Sequence, residues 1–213
     1  MTASFQHPSV PFLIAALLIP LIRTDKYRWL LPIPALMALA SVLTMPTGTH
    51  GVMHYLGQIL TTGRVDTLSI VFAHVFAIQS VIGFIYALHL KDRAQHVAAN
   101  LYVAGGFGCV FAGDYLTLFL FWELMSIAST MLIWLNRAPR STAAGFRYFL
   151  FHTLGGLMLL AGMLIRHQAT GSFAFEAIIP ASAQWYDYLI LAGFCVNAAV
   201  VPLHAWLPDA YPR

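Results

Sequence analysis

The stretch YLTLFLFWELMSIASTMLIWLN, Tyr115 to Asn136, holds a carboxylate, Glu123, near the middle of an otherwise apolar run. Its other polar groups are hydroxyls, one amide and two tryptophan rings. Twenty-two residues at 1.5 Å rise are enough to cross a hydrocarbon core of about 30 Å, so the run reads as a membrane-spanning helix. An ionised side chain at that depth costs roughly 2.5 to 3.5 kcal/mol on insertion scales, and such groups persist where they face a bundle interior, a partner or an ion path. Glu123 therefore marks a membrane protein that moves charge.

The rest of the chain agrees. Hydrophobic residues make up 60% of the 213 and charged residues 9%, with a mean hydropathy of +0.75, which is too apolar for a soluble domain of this size. Seven apolar stretches follow one another: Ser9 to Ile22, Trp29 to Met45, Leu68 to Leu90, His96 to Ala112, Tyr115 to Asn136, Ala143 to Ile165 and Tyr186 to Leu207. The fold class expected is an all-α, polytopic membrane helical bundle of about seven transmembrane helices, with the lipid bilayer as its solvent. The segments Gly51 to Thr67 and Thr170 to Gln184 are too polar to span and read as interfacial helix or loop. The first span is short, the second is broken up by Pro32 and Pro34, and the first charge, Arg23, comes after the apolar core and not before it. The first span thus reads as a retained helix instead of a cleaved signal.

Charge excludes some functions and orients the bundle. A net charge of +3 with scattered basic residues argues against a nucleic-acid partner. Arg23, Lys26 and Arg28 follow the first span, Lys91 and Arg93 the third, Arg137 and Arg140 the fifth, so alternate loops are basic and are expected to be cytoplasmic. The intervening loops carry Arg64 with Asp66, then Asp114, then Arg166 with Glu176 and Asp187. The amino terminus is expected outside and the carboxyl terminus inside, in what reads as a bacterial inner membrane. Cys109 and Cys195 lie within apolar spans at no paired spacing and read as packing residues, with no metal site expected.

Depth can be compared between helices. Glu123 lies about 12 Å into a span entering from outside, Asn197 about 16 Å into another, and His152 about 14 Å from the inner end of the span between them. Each shares its face with polar or small residues: Glu123 with Ser126 and Thr130, His152 with Gly155 and Gly156, Asn197 with Gly193 and His204. These faces are expected to meet. Taken singly, His152 or Asn197 reads first as an interhelical hydrogen bond worth around 0.6 kcal/mol; His89 and His96 read as interfacial, and the glycine pairs as helix packing. No phosphate-cradling loop, nucleophile elbow or zinc spacing is present in the sequence.

The stretch Asp114-Tyr-Leu-Thr-Leu-Phe-Leu-Phe-Trp122-Glu123-Leu-Met-Ser-Ile resembles the glutamate-bearing fifth helix of the antiporter-like proton-translocating subunits. That family is shared by respiratory complex I (NADH-quinone oxidoreductase), Mrp-type sodium/proton antiporters and membrane-bound hydrogenases. Gly193-Phe-Cys-Val-Asn197-Ala-Ala-Val-Val-Pro202-Leu-His204-Ala-Trp206-Leu-Pro208-Asp209-Ala resembles its seventh-helix signature, and Ala144-Gly-Phe-Arg-Tyr148-Phe-Leu the start of its sixth helix. The likeness is to the family's amino-terminal half. It divides the chain into weakly similar helices over 1–95 and the start of an antiporter-like repeat over 96–213, which the resemblance makes truncated after the seventh-helix signature. Two departures accompany it. Where the family carries a lysine paired with the glutamate, this chain has Asn197, and the family's second inverted repeat does not follow.

The resemblance implies an integral membrane component of a proton- or cation-translocating complex, with Glu123, His152, Asn197 and His204 as the proton-translocation residues. Implied partners are other membrane subunits, including a chain that supplies the second half. The alternative is a degenerate structural or assembly subunit without its own ion pathway. No cofactor and no catalytic site of its own are expected; with no haem, iron–sulfur or nucleotide motif in the sequence, any electron transfer would belong to other subunits.

Overall fold

The computed structural model describes residues 5–21, 26, 28–55 and 57–210, without the side chains of residues 209 and 210. Arg23, counted above with the basic loops, and Ile22, at the end of the first expected span, lie outside the described residues. Seven helices of ten residues or more are present among them: α1 (Ser9–Leu18), α2 (Ile33–Thr44), α3 (Thr67–Tyr86), α4 (Arg93–Phe111), α5 (Tyr115–Leu135), α6 (Ser141–Thr170) and α7 (Trp185–Asn197). A four-residue helix, α8 (Leu207–Ala210), follows. The apolar runs Thr67–His89, Tyr115–Leu135 and Ser141–Thr170 are long and apolar enough to cross a membrane, while α1 and α2 are shorter apolar helices.

Local chemistry sets the helix starts. Asp66 accepts a hydrogen bond from the Ser69 amide while Ser69 Oγ accepts one from the Asp66 amide, a capping box that opens α3. Asp92 accepts from the Ala94 amide at the start of α4. Pro32 and Pro34, read from sequence as interrupting the second span, instead stand at the first turn of α2, where a missing amide hydrogen costs nothing.

The segment expected as interfacial helix or loop before α3 is a β-hairpin. Strands β1 (Gly48–Tyr55) and β2 (Gln58–Val65) pair antiparallel, with Val52 opposite Thr61 and Tyr55 opposite Gln58. Gly57, in the connection, takes φ +75°, as two-residue hairpin turns require. The all-α reading holds for the bundle; this hairpin is the addition to it. It is tied to the helices by Asp114, whose Oδ2 accepts from the Thr61 amide at 2.6 Å and whose Oδ1 accepts from the Thr117 amide at 2.7 Å. Asp114 thus caps α5 and anchors β2 with one carboxylate.

Two apolar cores form. Phe12, Ala38, Ala77, Phe84, Phe107 and Phe111 fill the space among α1 to α4; Tyr115, Leu159, Met163 and Ile190 fill that among α5, α6 and α7. Large apolar residues such as Leu17, Leu43, Leu68 and Val71 point outward and are exposed, as a bilayer-facing surface demands. Small residues let the backbones close up. A β-carbon on Gly193 of α7 would stand 2.7 Å from the Gly155 carbonyl oxygen of α6, and one on Gly162 would stand 2.9 Å from that of Tyr186.

The last expected span does not run through. α7 ends at Asn197, about 18 Å from its start at 1.5 Å per residue, and Ala199 takes a left-handed φ of 52°. Turns then carry the chain to α8.

Candidate functional site

Glu123 lies eight residues into α5, half-buried, on the face that also carries the buried Ser126 and Thr130. The hydroxyls of Ser129 and Thr130 both donate to the Ser126 carbonyl at 2.9 Å, so they are turned back on their own helix. The Glu123 carboxylate reaches α6 and rests on Gly156, where a β-carbon would overlap Oε1. Asn197, the last residue of α7, rests on the neighbouring Gly155, with its carboxamide atoms 2.8 Å from where a β-carbon would stand.

Consecutive helical residues point about 100° apart, so the two side chains approach α6 from adjacent sides. His152 stands three residues before Gly155 and four before Gly156, which places it on the same face one turn away. The structure therefore brings Glu123, His152 and Asn197 to a single turn of α6. His152 is buried; its Nδ1 is 3.3 Å from Ser126 Oγ, and its ring lies between Tyr148 (centroids 4.0 Å apart, stacked) and Trp206 (4.6 Å, edge-on).

Four buried polar atoms in this group have no hydrogen-bond partner among the described residues: Glu123 Oε1, His152 Nε2, and Oδ1 and Nδ2 of Asn197. An unsatisfied buried group costs about 1 to 3 kcal/mol, so four around one turn of α6 are a concentrated demand for hydrogen-bond partners. Asn197 also sits where α7 ends after 13 residues. The last-turn carbonyls are occupied from beyond the break: the Ala198 amide donates to Phe194, the Val200 amide to Cys195, and the Trp206 indole to Val196 at 3.0 Å. Broken helices of this kind place polar groups and helix-end dipoles at bilayer depth.

His204, expected with this group, is exposed on the turns after Asn197; Trp206, two residues on, supplies the ring against His152. Two participants escape sequence reasoning. Tyr148 donates to Ser129 Oγ at 2.9 Å, and its position four residues before His152 is a readable signal. Trp206 gives none, because its place depends on the break. Three charges read as loop residues also belong to helices or their contacts: Arg166, buried in α6, donates to the buried Asp187 of α7 at 2.6 Å and to the exposed Glu176 at 2.9 Å. His96, read as interfacial, is buried, with Nε2 3.1 Å from the Leu90 carbonyl oxygen.

Residues 112–213 match the family model described as NADH:quinone oxidoreductase/Mrp antiporter, TM. This part of the chain belongs to that antiporter-like family. A Na(+)/H(+) antiporter subunit from Alkalihalophilus pseudofirmus is 30% identical over 229 aligned residues, covering 94% of this chain and 28% of that protein. NADH-quinone oxidoreductase subunit N of Azorhizobium caulinodans is 32% identical over 191, covering 85% and 40%. In the structure of the membrane-bound sulfane sulfur reductase, an archaeal respiratory membrane complex, one chain superposes with a TM-score of 0.81 at 22% identity, over 96% of this chain and 46% of that one. The chain thus spans less than half the length of these relatives. It is an integral membrane protein with an antiporter-like fold, and Glu123, His152 and Asn197 fall within the matched residues.

Proposed function

We propose that the chain is a proton- or cation-translocating component of a multisubunit membrane complex, in which Glu123 carries the exchangeable charge. The observation that carries this reading is the meeting of Glu123, His152 and Asn197 around one turn of α6, with polar atoms that the described residues leave unpartnered.

The parts divide as follows. Glu123 takes up and releases a proton at Oε1. His152 presents Nε2 as a second exchange point, while Nδ1 faces Ser126 and the Tyr148 and Trp206 rings hold the imidazole in place. Asn197, where the family has a lysine, offers a carboxamide that can donate to the ionised Glu123 carboxylate and can also accept from the protonated carboxyl. The two groups are not hydrogen-bonded as they stand; the carboxamide supplies a polar neighbour without a fixed positive charge. The complex would work in a bacterial plasma membrane with the amino terminus outside. Lys91, Arg93, Arg137 and Arg140 gather at one end of the helices, opposite the hairpin, which supports that orientation.

Glu123→Gln keeps shape and removes the titrating group. In everted vesicles from cells making the assembled complex, dye-reported ion translocation is expected to fall at least tenfold for Glu123→Gln and less for Glu123→Asp, with assembly unchanged. Full translocation by Glu123→Gln in an assembled complex would refute the carrier role and leave a structural subunit.

A further inference from the structure

At the end of the bundle away from the hairpin, Lys26, Arg28, Trp29, His89 and Lys91 line a cavity of about 460 Å³. The side chains of Lys26, Arg28 and Lys91 are exposed, and the Arg28 guanidinium lies over the Trp29 ring at 5.4 Å. The acid next to Lys91 in sequence is already engaged: Asp92 accepts from Arg137 at 2.6 Å and from the Ala94 amide at 2.9 Å. Asp25 lies outside the described residues.

A second cavity, of about 280 Å³, runs between α1 and α2 and is lined by apolar side chains, among them Ile14, Leu18, Leu30, Ile33 and Met37. The short 3-10 turn Arg28–Leu30 joins the two, with Arg28 and Trp29 on the basic cavity and Leu30 on the apolar one.

We infer that these adjoining cavities form a site for one anionic glycerophospholipid, with its phosphate among Lys26, Arg28 and Lys91 and an acyl chain in the α1–α2 groove. Charge selects an anionic headgroup, and each basic residue near a membrane surface adds about fivefold to such binding. The apolar groove selects a lipid over a free phosphate, because a soluble phosphate would leave it uncovered. Trp29 stands at the junction of polar and apolar parts, where interfacial tryptophans belong. The site is independent of the transport reading, since it shares no residue with the Glu123 group.

The test is native mass spectrometry of the full chain, extracted in mild detergent and supplied with dioleoyl phosphatidylglycerol, dioleoyl phosphatidylcholine or glycerol 3-phosphate. The wild type is expected to retain phosphatidylglycerol at least tenfold over phosphatidylcholine. Lys26→Gln, Arg28→Gln and Lys91→Gln should each lower that preference several-fold, whereas Arg64→Gln, at the hairpin end, should leave it unchanged. Ile14→Trp, which fills the groove, should lower retention of both lipids. Equal retention of the two lipids overturns the site, as does a preference unmoved by the three substitutions or displacement by glycerol 3-phosphate alone. A photoreactive side chain placed at Met37 distinguishes the remaining occupant: a lipid adduct supports the site, and an adduct with another polypeptide overturns it.

Discussion

The carboxylate of Glu123 lies against the bare backbone of Gly156, leaving no room for a β-carbon between them. An acid on α5 is thus held at its depth by the absence of a side chain on α6. Gly156→Ala is expected to displace Glu123 and lower ion translocation at least tenfold while the chain still inserts. Gly83→Ala is the control, because a β-carbon there meets no atom within 4 Å, and replacing a helical glycine by alanine gains roughly 0.5 to 1 kcal/mol. If both variants transport alike, the close approach of Glu123 to α6 has no functional part.

The Arg166–Asp187 pair joins α6 to α7 at the end opposite Asn197. Side-chain exposures of 9% and 6% make it a buried pair, whereas Glu176 is 56% exposed. Removing one partner of a buried pair leaves an uncompensated charge and costs about 3 to 5 kcal/mol, while an exposed pair is worth at most about 1 kcal/mol. Arg166→Met should therefore destabilise strongly in thermal unfolding of the detergent-extracted chain, and Glu176→Gln hardly at all. Combining Arg166→Met with Asp187→Asn, which keeps a side-chain acceptor for the Gln184 amide, should recover at least half of the loss. No recovery in the double variant would mean that the cost lies in packing and not in charge.

Much of this arrangement is legible from composition and helical rise. The expected fifth span, Tyr115 to Asn136, differs from α5 by one residue, because a capping aspartate and an unbroken apolar run mark its ends. The shared level of Glu123, His152 and Asn197 follows from counting residues into each span. What escapes depends on contacts distant in sequence. The Ala198-Ala199-Val200-Val201 run has no glycine to announce a helix end, yet α7 stops there, with the Trp206 indole taking the Val196 carbonyl. That break moves His204 away from the site and brings Trp206 in. The hairpin is hidden for another reason: its polarity reads as a loop, although Thr61, Thr62, Val52 and Tyr55 favour strands.

Orientation is open to a direct measurement. Thr47, beside the hairpin, and Thr142, in the first turn of α6, lie at opposite ends of the helices, and both are exposed. In a background lacking Cys109 and Cys195, Thr47→Cys is expected to react with an impermeant thiol reagent in intact cells and Thr142→Cys only after lysis. The reverse pattern would invert the topology and place the basic end outside.

His7 makes folding sensitive to acid. Its Nε2 is 2.9 Å from the Thr62 carbonyl oxygen on β2, while Nδ1 accepts from the Ser9 amide at 3.2 Å, which assigns the proton of the neutral ring to Nε2. Phe5, Phe111 and Phe121 surround the ring. Burial pushes its pKa from 6.5 down to about 4, against the smaller opposing pull of the Thr62 carbonyl. Between those values the unfolded chain binds more protons than the folded one, so stability falls as pH drops below 6.5 and stops falling below about 4. The loss between pH 7.5 and pH 5 is expected to be about 2 kcal/mol, read as a lower thermal midpoint of the detergent-extracted chain. His7→Gln can still donate to Thr62 and does not titrate, so its midpoint should depend less on pH over that range. An equal pH dependence in the two proteins would show that protonation of His7 does not control the acid response.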